Sequence, residues 1–353
     1  MPRKRPSVAL YGAGLISRAH GAAARFNKMP VVAVASRTLE RATERAAEFG
    51  ARPVGYDDIV ARRVAADIAV VSTPPQCHAR DTIALLDAGF AVLLETPLCC
   101  TLAQADVIVK ASARHQGRLL YAENLAYSPV VQRLLALVPR LGKLTHVEVR
   151  ALQGPPDRGR VADLREHTAE WGGGALFDLG VHPLAVALLI ANAAGLGAPT
   201  SVRARLSGAD RHGGDEHADV FVGYANGLQA RVEASWRHGT AAVWDAQMAS
   251  DSGVLRAELL PVPQLEHNGD GIDLPASTTS AAQIEQYGYL EQLRALATDL
   301  DNGTTPIMGA SFGRLVLEVV CAAYRSAGRD GALEALPFSG ARDRTPLQLW
   351  RGA

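Results

Sequence analysis

The chain has 353 residues, 48% hydrophobic and 20% charged, enough to bury a large core and to fill two domains. Lys plus Arg and Asp plus Glu stand equal at 36 each. The balance therefore implies neither a basic nucleic-acid face nor an acidic tail, and no apolar run reaches the length of a membrane span.

Residues 2–6, Pro-Arg-Lys-Arg-Pro, have no apolar stretch behind them and read as a frayed terminus rather than a targeting signal. Residues 8–11 are a short buried strand. Gly12-Ala13-Gly14-Leu15-Ile16-Ser17 follows directly, residues 18–27 are helix formers, and residues 31–35 are a second strand. This β-α-β order places a dinucleotide pyrophosphate over a helix N-terminus. Gly12 allows the sharp turn, and Gly14 lets phosphate approach the backbone. Ser17 stands where the fingerprint has its third glycine. The alternative is a tight turn in some other α/β protein.

A helix is expected over 38–49, closed by Gly50. Further strands are expected over 66–71, 90–94 and 118–122, with helices over 78–87 and 102–115 between them. The alternation predicts a parallel, doubly wound sheet with ligands beyond the strand C-termini. The segments at those ends are Gly12 to Ser17, Ser36-Arg37, Ser72-Thr73-Pro74-Pro75, Glu95-Thr96-Pro97 and Glu123-Asn124. A carboxylate at the end of the second strand would select NAD. Here Ser36 and Arg37 stand there, with Arg41 one turn on, so NADP is the expected cofactor. A solvated Arg37 is the bland alternative.

From about Tyr127 the pattern changes, and the domains are expected at 1–124 and 125–353. After a helix over 129–138, strands are expected over 144–152, 201–206, 219–224, 228–236, 241–249 and 254–260. Asn226-Gly227 marks a hairpin. The fold class is thus α/β: a Rossmann domain followed by an α+β domain with an open, mostly antiparallel sheet. Such a sheet is expected to be covered by a second copy in a homodimer or homotetramer. Residues 208–216 read as a surface loop, and 281–300 and 310–326 as single amphipathic helices. Cys77, Cys99, Cys100 and Cys321 form no C-x-x-C pair. They read as buried thiols of a cytoplasmic protein, with no metal site.

The chemistry is concentrated in Gly172-Gly173-Gly174-Ala175-Leu176-Phe177-Asp178-Leu179-Gly180-Val181-His182-Pro183. Asp178 and His182 are four apart, on one face of a helix, where a carboxylate can orient an imidazole for proton transfer. Pro183 is expected to kink that helix. An incidental pair is the alternative for this stretch alone.

Taken together, the glycine turn, Ser72-Thr73-Pro74 with His78, the Glu-x-Pro at 95–97 and Gly-Gly-Gly-x-x-x-Asp-x-Gly-x-His resemble the Gfo/Idh/MocA oxidoreductases along essentially the whole chain. The resemblance implies hydride transfer between a nicotinamide cofactor and a carbinol carbon of a sugar or cyclitol. It also implies that His182 exchanges the proton with help from Asp178, and that Glu95 lies near the nicotinamide. The cofactor-binding positions it suggests are Gly12, Gly14, Leu15, Ile16, Ser36, Arg37, Arg41, Ser72, Thr73, Pro74, His78, Glu95 and Asn124. Two positions depart from the family pattern. Thr96 stands where a lysine commonly polarises the substrate oxygen, and Ala185 where an Asp commonly contacts substrate. Thr96 remains a catalytic candidate as an uncharged donor. Tyr127, Arg165, His167 and Trp171 are candidates for the substrate pocket or for structure. Two other readings stay open: non-net-redox chemistry on the nicotinamide fold (elimination, hydrolysis or isomerisation), and a weakly catalytic binding or regulatory protein.

Overall fold

The computed structural model describes residues 5–154, 168, 170–208, 213–239, 241–277 and 282–352. They form two compact units. The first comprises Met1–Cys99, Ala103–Tyr127 and Ser277–Arg314; the second comprises Cys100–Leu102, Ser128–Ala276 and Leu315–Ala353.

In the first unit, strands β1 (Val8–Tyr11), β2 (Val31–Ala35), β3 (Arg52–Val54), β4 (Ile68–Val71), β5 (Ala91–Leu94) and β6 (Leu119–Tyr121) form one parallel sheet in the order β3-β2-β1-β4-β5-β6. Helices α1 (Ser17–Phe26), α2 (Leu39–Ala47), α3 (Tyr56–Val60), α4 (Pro75–Asp87) and α5 (Leu102–Arg114) connect them. The strands are short because both faces are covered, so continuous Val, Ala, Ile and Leu suffices and no alternation is needed. Register brings their ends level: Tyr11 pairs with Ala35 and Val71, Val71 with Leu94, and Leu94 with Tyr121. The loops that follow therefore share one edge. The strand order reverses between β1 and β4, which is where such sheets take ligands.

The short elements β3 and α3 were not expected from the sequence. Helix α4 starts at Pro75, three residues before the expected start, because proline is tolerated at a first helical position.

The second unit holds α6 (Pro129–Leu137) and a nine-stranded sheet. Its strands are β7 (Leu144–Leu152), β8 (Pro199–Ser207), β9 (His217–Tyr224), β10 (Gln229–Ser235), β11 (Val243–Ser250), β12 (Gly253–Leu260), β13 (Gln264–His267), β14 (Asp270–Gly271) and β15 (Glu334–Ala335). All pairings are antiparallel except β7 with β10. One face is buried under α8 (Val181–Ala193), a helix apolar almost all round. The other face is laced with cross-strand ion pairs. Arg231 meets Glu148, Asp219 and Glu233, and Arg150 meets Asp245 at 2.5 Å.

Three expectations are corrected. The boundary at 124/125 gives way to a chain that returns: α9 (Ala282–Gln286) and α10 (Tyr289–Asn302) belong to the first unit. Leu293, Leu296 and Ala297 pack into the core with Val8 and Leu10, and Asn27 donates to the Leu290 carbonyl at 2.8 Å. The expected single helix over 281–300 is broken at Gly288, whose φ of +85° is left-handed. Asp178 and His182 lie on two helices, α7 (Ala175–Asp178) and α8, because Pro183 has no N–H for the Leu179 carbonyl. That carbonyl takes the His182 N–H instead, at 3.3 Å. The remaining helices are α11 (Ala310–Gly328) and α12 (Pro346–Arg351).

Candidate active site

One candidate region, in the first unit, is the loop edge of the parallel sheet. Gly12 has φ +131°, and a Cβ there would sit 2.6 Å from the Ser72 carbonyl and hydroxyl oxygens, so only glycine fits. Gly14 is different: a Cβ there would meet nothing within 4 Å. Ser17 Oγ donates to the Gly14 carbonyl at 2.5 Å and so ties the loop to the first turn of α1. Leu15 is 62% exposed, and Ile16 caps the helix. A glycine cradle with an apolar rim at a helix N-terminus fits a dinucleotide.

At the end of β2, Ser36 is half-buried, while Arg37 and Arg41 are exposed and ion-pair with no described residue. Behind them Tyr11 and Tyr56 stack with ring centroids 4.5 Å apart. Burial pushes the Tyr56 phenol up, Asp81 adds to this, and Arg37 opposes it. The arrangement leaves two guanidinium groups available to a phosphate.

At the ends of β4 and β5, Ser72 faces the Gly12 carbonyl, Thr73 Oγ1 donates to Asp81 at 2.9 Å, and Pro74 caps α4. His78 was expected to contact cofactor. The structure instead buries it, with Nδ1 2.9 Å from the Pro97 carbonyl and Nε2 2.6 Å from the Thr73 carbonyl. No ring nitrogen is left for a ligand, so His78 braces the two loops. Burial pulls its pKa down, against the pull of the two carbonyls. Glu95 Oε2 accepts from the Thr96 N–H at 3.1 Å, and Oε1 meets Nε2 of His20. The sequence reading missed His20. Its signal was a lone imidazole among the alanines of α1.

Asn124 is also used structurally, its amide donating to the Tyr287 carbonyl at 2.7 Å. Tyr127 packs against the core of the first unit, where burial, then Asp299, pushes its phenol up. Its expected substrate contact is therefore replaced by a packing role. Arg165 and His167 lie outside the described residues. Trp171 is half-buried at the head of the glycine run.

A second candidate region, in the second unit, is that run. Gly172 has φ +96° and abuts Thr345; a Cβ on Gly173 would lie 2.3 Å from Phe177, and one on Gly174 would lie 2.1 Å from the Asp215 carbonyl oxygen. The loop expected over 208–216 is not simply surface, because Asp215 is 0% exposed. Its carboxylate accepts from the Gly174 N–H at 3.1 Å, the Leu176 N–H at 2.8 Å and the Tyr324 hydroxyl, capping α7. Burial raises the Asp215 pKa, and these donors oppose the rise.

Asp178 and His182 are both half-buried. Burial raises the Asp178 carboxyl pKa and the neighbouring imidazole pulls it back, so the two are close enough to feel each other's charge. Trp244 lies against the imidazole, centroids 5.8 Å apart, and its indole N–H donates to Gln153 at 3.2 Å. The imidazole thus has a carboxylate within electrostatic reach and an indole beside it. Among the described residues no group of carboxylates, histidines and cysteines could hold a metal. None of the four cysteines forms a disulfide, and no described helix is long and apolar enough to cross a membrane.

Comparison with known proteins covers both units. The family described as "Oxidoreductase family, NAD-binding Rossmann fold" matches residues 7–123, and "GFO/IDH/MocA C-terminal domain" matches residues 133–253. A dTDP-3,4-didehydro-2,6-dideoxy-alpha-D-glucose 3-reductase of Saccharopolyspora spinosa is 36% identical over 76% of this chain and 75% of its own. The Streptomyces violaceoruber protein of the same name is 34% identical over 58% of this chain and 61% of its own. The chain thus spans only about half to three fifths of some curated relatives, 53% in one case. The crystal structure of GenD2 from gentamicin A biosynthesis, in complex with NAD, has a TM-score of 0.80 and 25% identity, covering 95% of this chain and 99% of its own.

Proposed function

Because the chain belongs to the Gfo/Idh/MocA oxidoreductase family, we propose that it is an NAD(P)-dependent oxidoreductase acting on a sugar-, cyclitol- or keto-sugar-like small molecule. The observation that carries the reading is that Asp178 and His182 are half-buried and within electrostatic reach of each other, Asp178 ending the short helix whose first turn Asp215 caps. The nicotinamide cofactor, when bound, supplies or accepts the hydride. His182 gives the proton to the substrate oxygen, or takes it. Asp178 holds the imidazole in the matching tautomer. Thr96 offers a hydroxyl donor without charge. Gly12, Gly14, Leu15 and Ile16 hold the pyrophosphate, and Ser72 to Pro74 and Glu95 border the nicotinamide half. The names of the relatives that reduce a dTDP-linked keto-sugar support a carbonyl on a sugar ring.

The test is turnover of reduced cofactor with a panel of keto-sugars and polyols. Consumption or release of reduced cofactor supports the reading. Product without net cofactor change would favour non-net-redox chemistry, which the uncharged Thr96 leaves room for. Binding without product would favour a binding or regulatory role.

NADP is the cofactor this reading prefers, on the strength of Ser36 and of Arg37 and Arg41, which are exposed and ion-pair with no described residue. Arg37→Ala is expected to weaken NADP(H) by about 1–3 kcal/mol, the range for a charge-assisted hydrogen bond, and to leave NAD(H) nearly unchanged. Equal losses for both in titrations would overturn the preference. Four cysteines, none in a disulfide, support a reducing, cytoplasmic setting.

The reading includes a homodimer or homotetramer built on the nine-stranded sheet. Its ion-paired face makes that interface polar rather than apolar. Sedimentation at micromolar concentration is expected to give a dimer or tetramer; a clean monomer would count against it.

A further inference from the structure

The first unit sets a buried imidazole, which the proposed chemistry does not use, against a partly exposed carboxylate. His20, on α1, is 0% exposed, and its Nε2 meets Oε1 of Glu95 at the end of β5. Among the described residues Nδ1 of His20 has no partner. An imidazolium would leave a charged N–H buried without an acceptor, whereas a neutral ring donating from Nε2 leaves only a lone pair unmet. The network thus assigns the Nε2–H tautomer, with the charge on Glu95. Both carboxylate oxygens are then satisfied, since Oε2 takes the Thr96 N–H. Tyr289 stands edge-on to the imidazole, centroids 5.5 Å apart at 87°, and keeps the ring from turning.

The charge sits at an informative place. The sheet order puts Ser36 and Arg37 on one side of the β1–β4 crevice and Glu95 on the other, so Glu95 borders the nicotinamide half. Thr96 beside it adds no cation. Glu123, buried nearby with its carboxylate accepting from the Leu125 N–H at 3.2 Å, acts on Tyr121 and Tyr289 with the same sign as Glu95. His78 feels Glu95 from the other side. Oxidised nicotinamide is a cation and reduced nicotinamide is neutral, so a fixed carboxylate distinguishes them.

We propose that His20 is a positioning residue that holds Glu95 as a carboxylate in the nicotinamide half, and that the pair biases the site toward the oxidised cofactor. The inference rests on the nicotinamide reading above. The test is binding rather than turnover. Dissociation constants for NADPH are read by fluorescence titration and those for NADP+ by competition, in wild type, Glu95→Gln, His20→Leu and His20→Gln. Glu95→Gln is expected to shift the ratio of the two constants toward the reduced form by roughly tenfold, the scale of one unit charge at intermediate dielectric. His20→Leu is expected to shift it in the same direction. His20→Gln, which keeps one N–H for Glu95, is expected to stay near wild type, and it decides the role of His20 if the leucine variant does not fold. An unmoved ratio in Glu95→Gln overturns the bias, and a His20→Gln ratio equal to that of Glu95→Gln overturns the positioning role. Wild-type protein that binds neither form overturns the cofactor reading itself, an outcome distinct from an unmoved ratio.

Discussion

His182→Ala is expected to lower turnover by about 10²–10⁴-fold, the usual worth of a positioned acid–base group, with cofactor affinity preserved. Asp178→Asn is expected to reduce the rate less and to move the pH–rate profile, because the imidazole loses a charged neighbour. It carries a second, opposite effect. Burial raises the Asp178 pKa above its unfolded value, so the folded state binds the extra proton and stability falls as pH rises through that raised pKa. Above it the ionised carboxylate is a cost, and Asp178→Asn is expected to melt at a higher temperature than wild type. A slower but more stable variant is the signature of a functional carboxylate. Full turnover of His182→Ala on the true substrate, measured by cofactor oxidation, would overturn the assignment. Thr96→Lys bears on the same chemistry. If the chain merely lacks the family's lysine, turnover on ordinary polyols rises; if the pocket is shaped around Thr96, the native activity is lost.

The second large effect separates the two glycines that follow β1. Gly14→Ala is expected to weaken cofactor binding roughly 10–100-fold, about 1.4–2.8 kcal/mol, because its methyl group enters the space where phosphate meets backbone. With nothing within 4 Å of that methyl, the melting temperature should stay within about 2 °C of wild type, as for a surface substitution. Gly12→Ala should instead damage the fold. Its backbone is left-handed, which costs about 1–3 kcal/mol for a residue with a side chain, and its methyl would collide with Ser72 at 2.6 Å. Thermal melting and cofactor titration on the same two variants check both statements. A Gly14→Ala protein that binds cofactor normally would remove the phosphate from this loop.

The parts of the fold that were legible were the local ones. β7 spans 144–152 as expected, and the hairpin at Asn226-Gly227 joins β9 to β10, because alternation and turn chemistry are written in neighbouring residues. The Asp178–His182 spacing was legible for the same reason, although two helices rather than one present it. His78 was misread because spacing says which loop a residue is near. It cannot say whether the ring turns outward to a ligand or inward to two carbonyls.

The sequence by itself determined the parallel sheet, the glycine cradle, the change to an antiparallel sheet after Tyr127 and the residues able to move a proton, since each rests on periodicity or on a residue's own stereochemistry. Only the tertiary structure decided that residues 277–314 return to the first unit, that His20 meets Glu95 across 75 positions, and that Asp215 clamps Gly174 across 41. Those pairings follow from which buried groups need a partner in an interior that excludes water. Burial is a property of the assembled core, and it leaves no period in the chain.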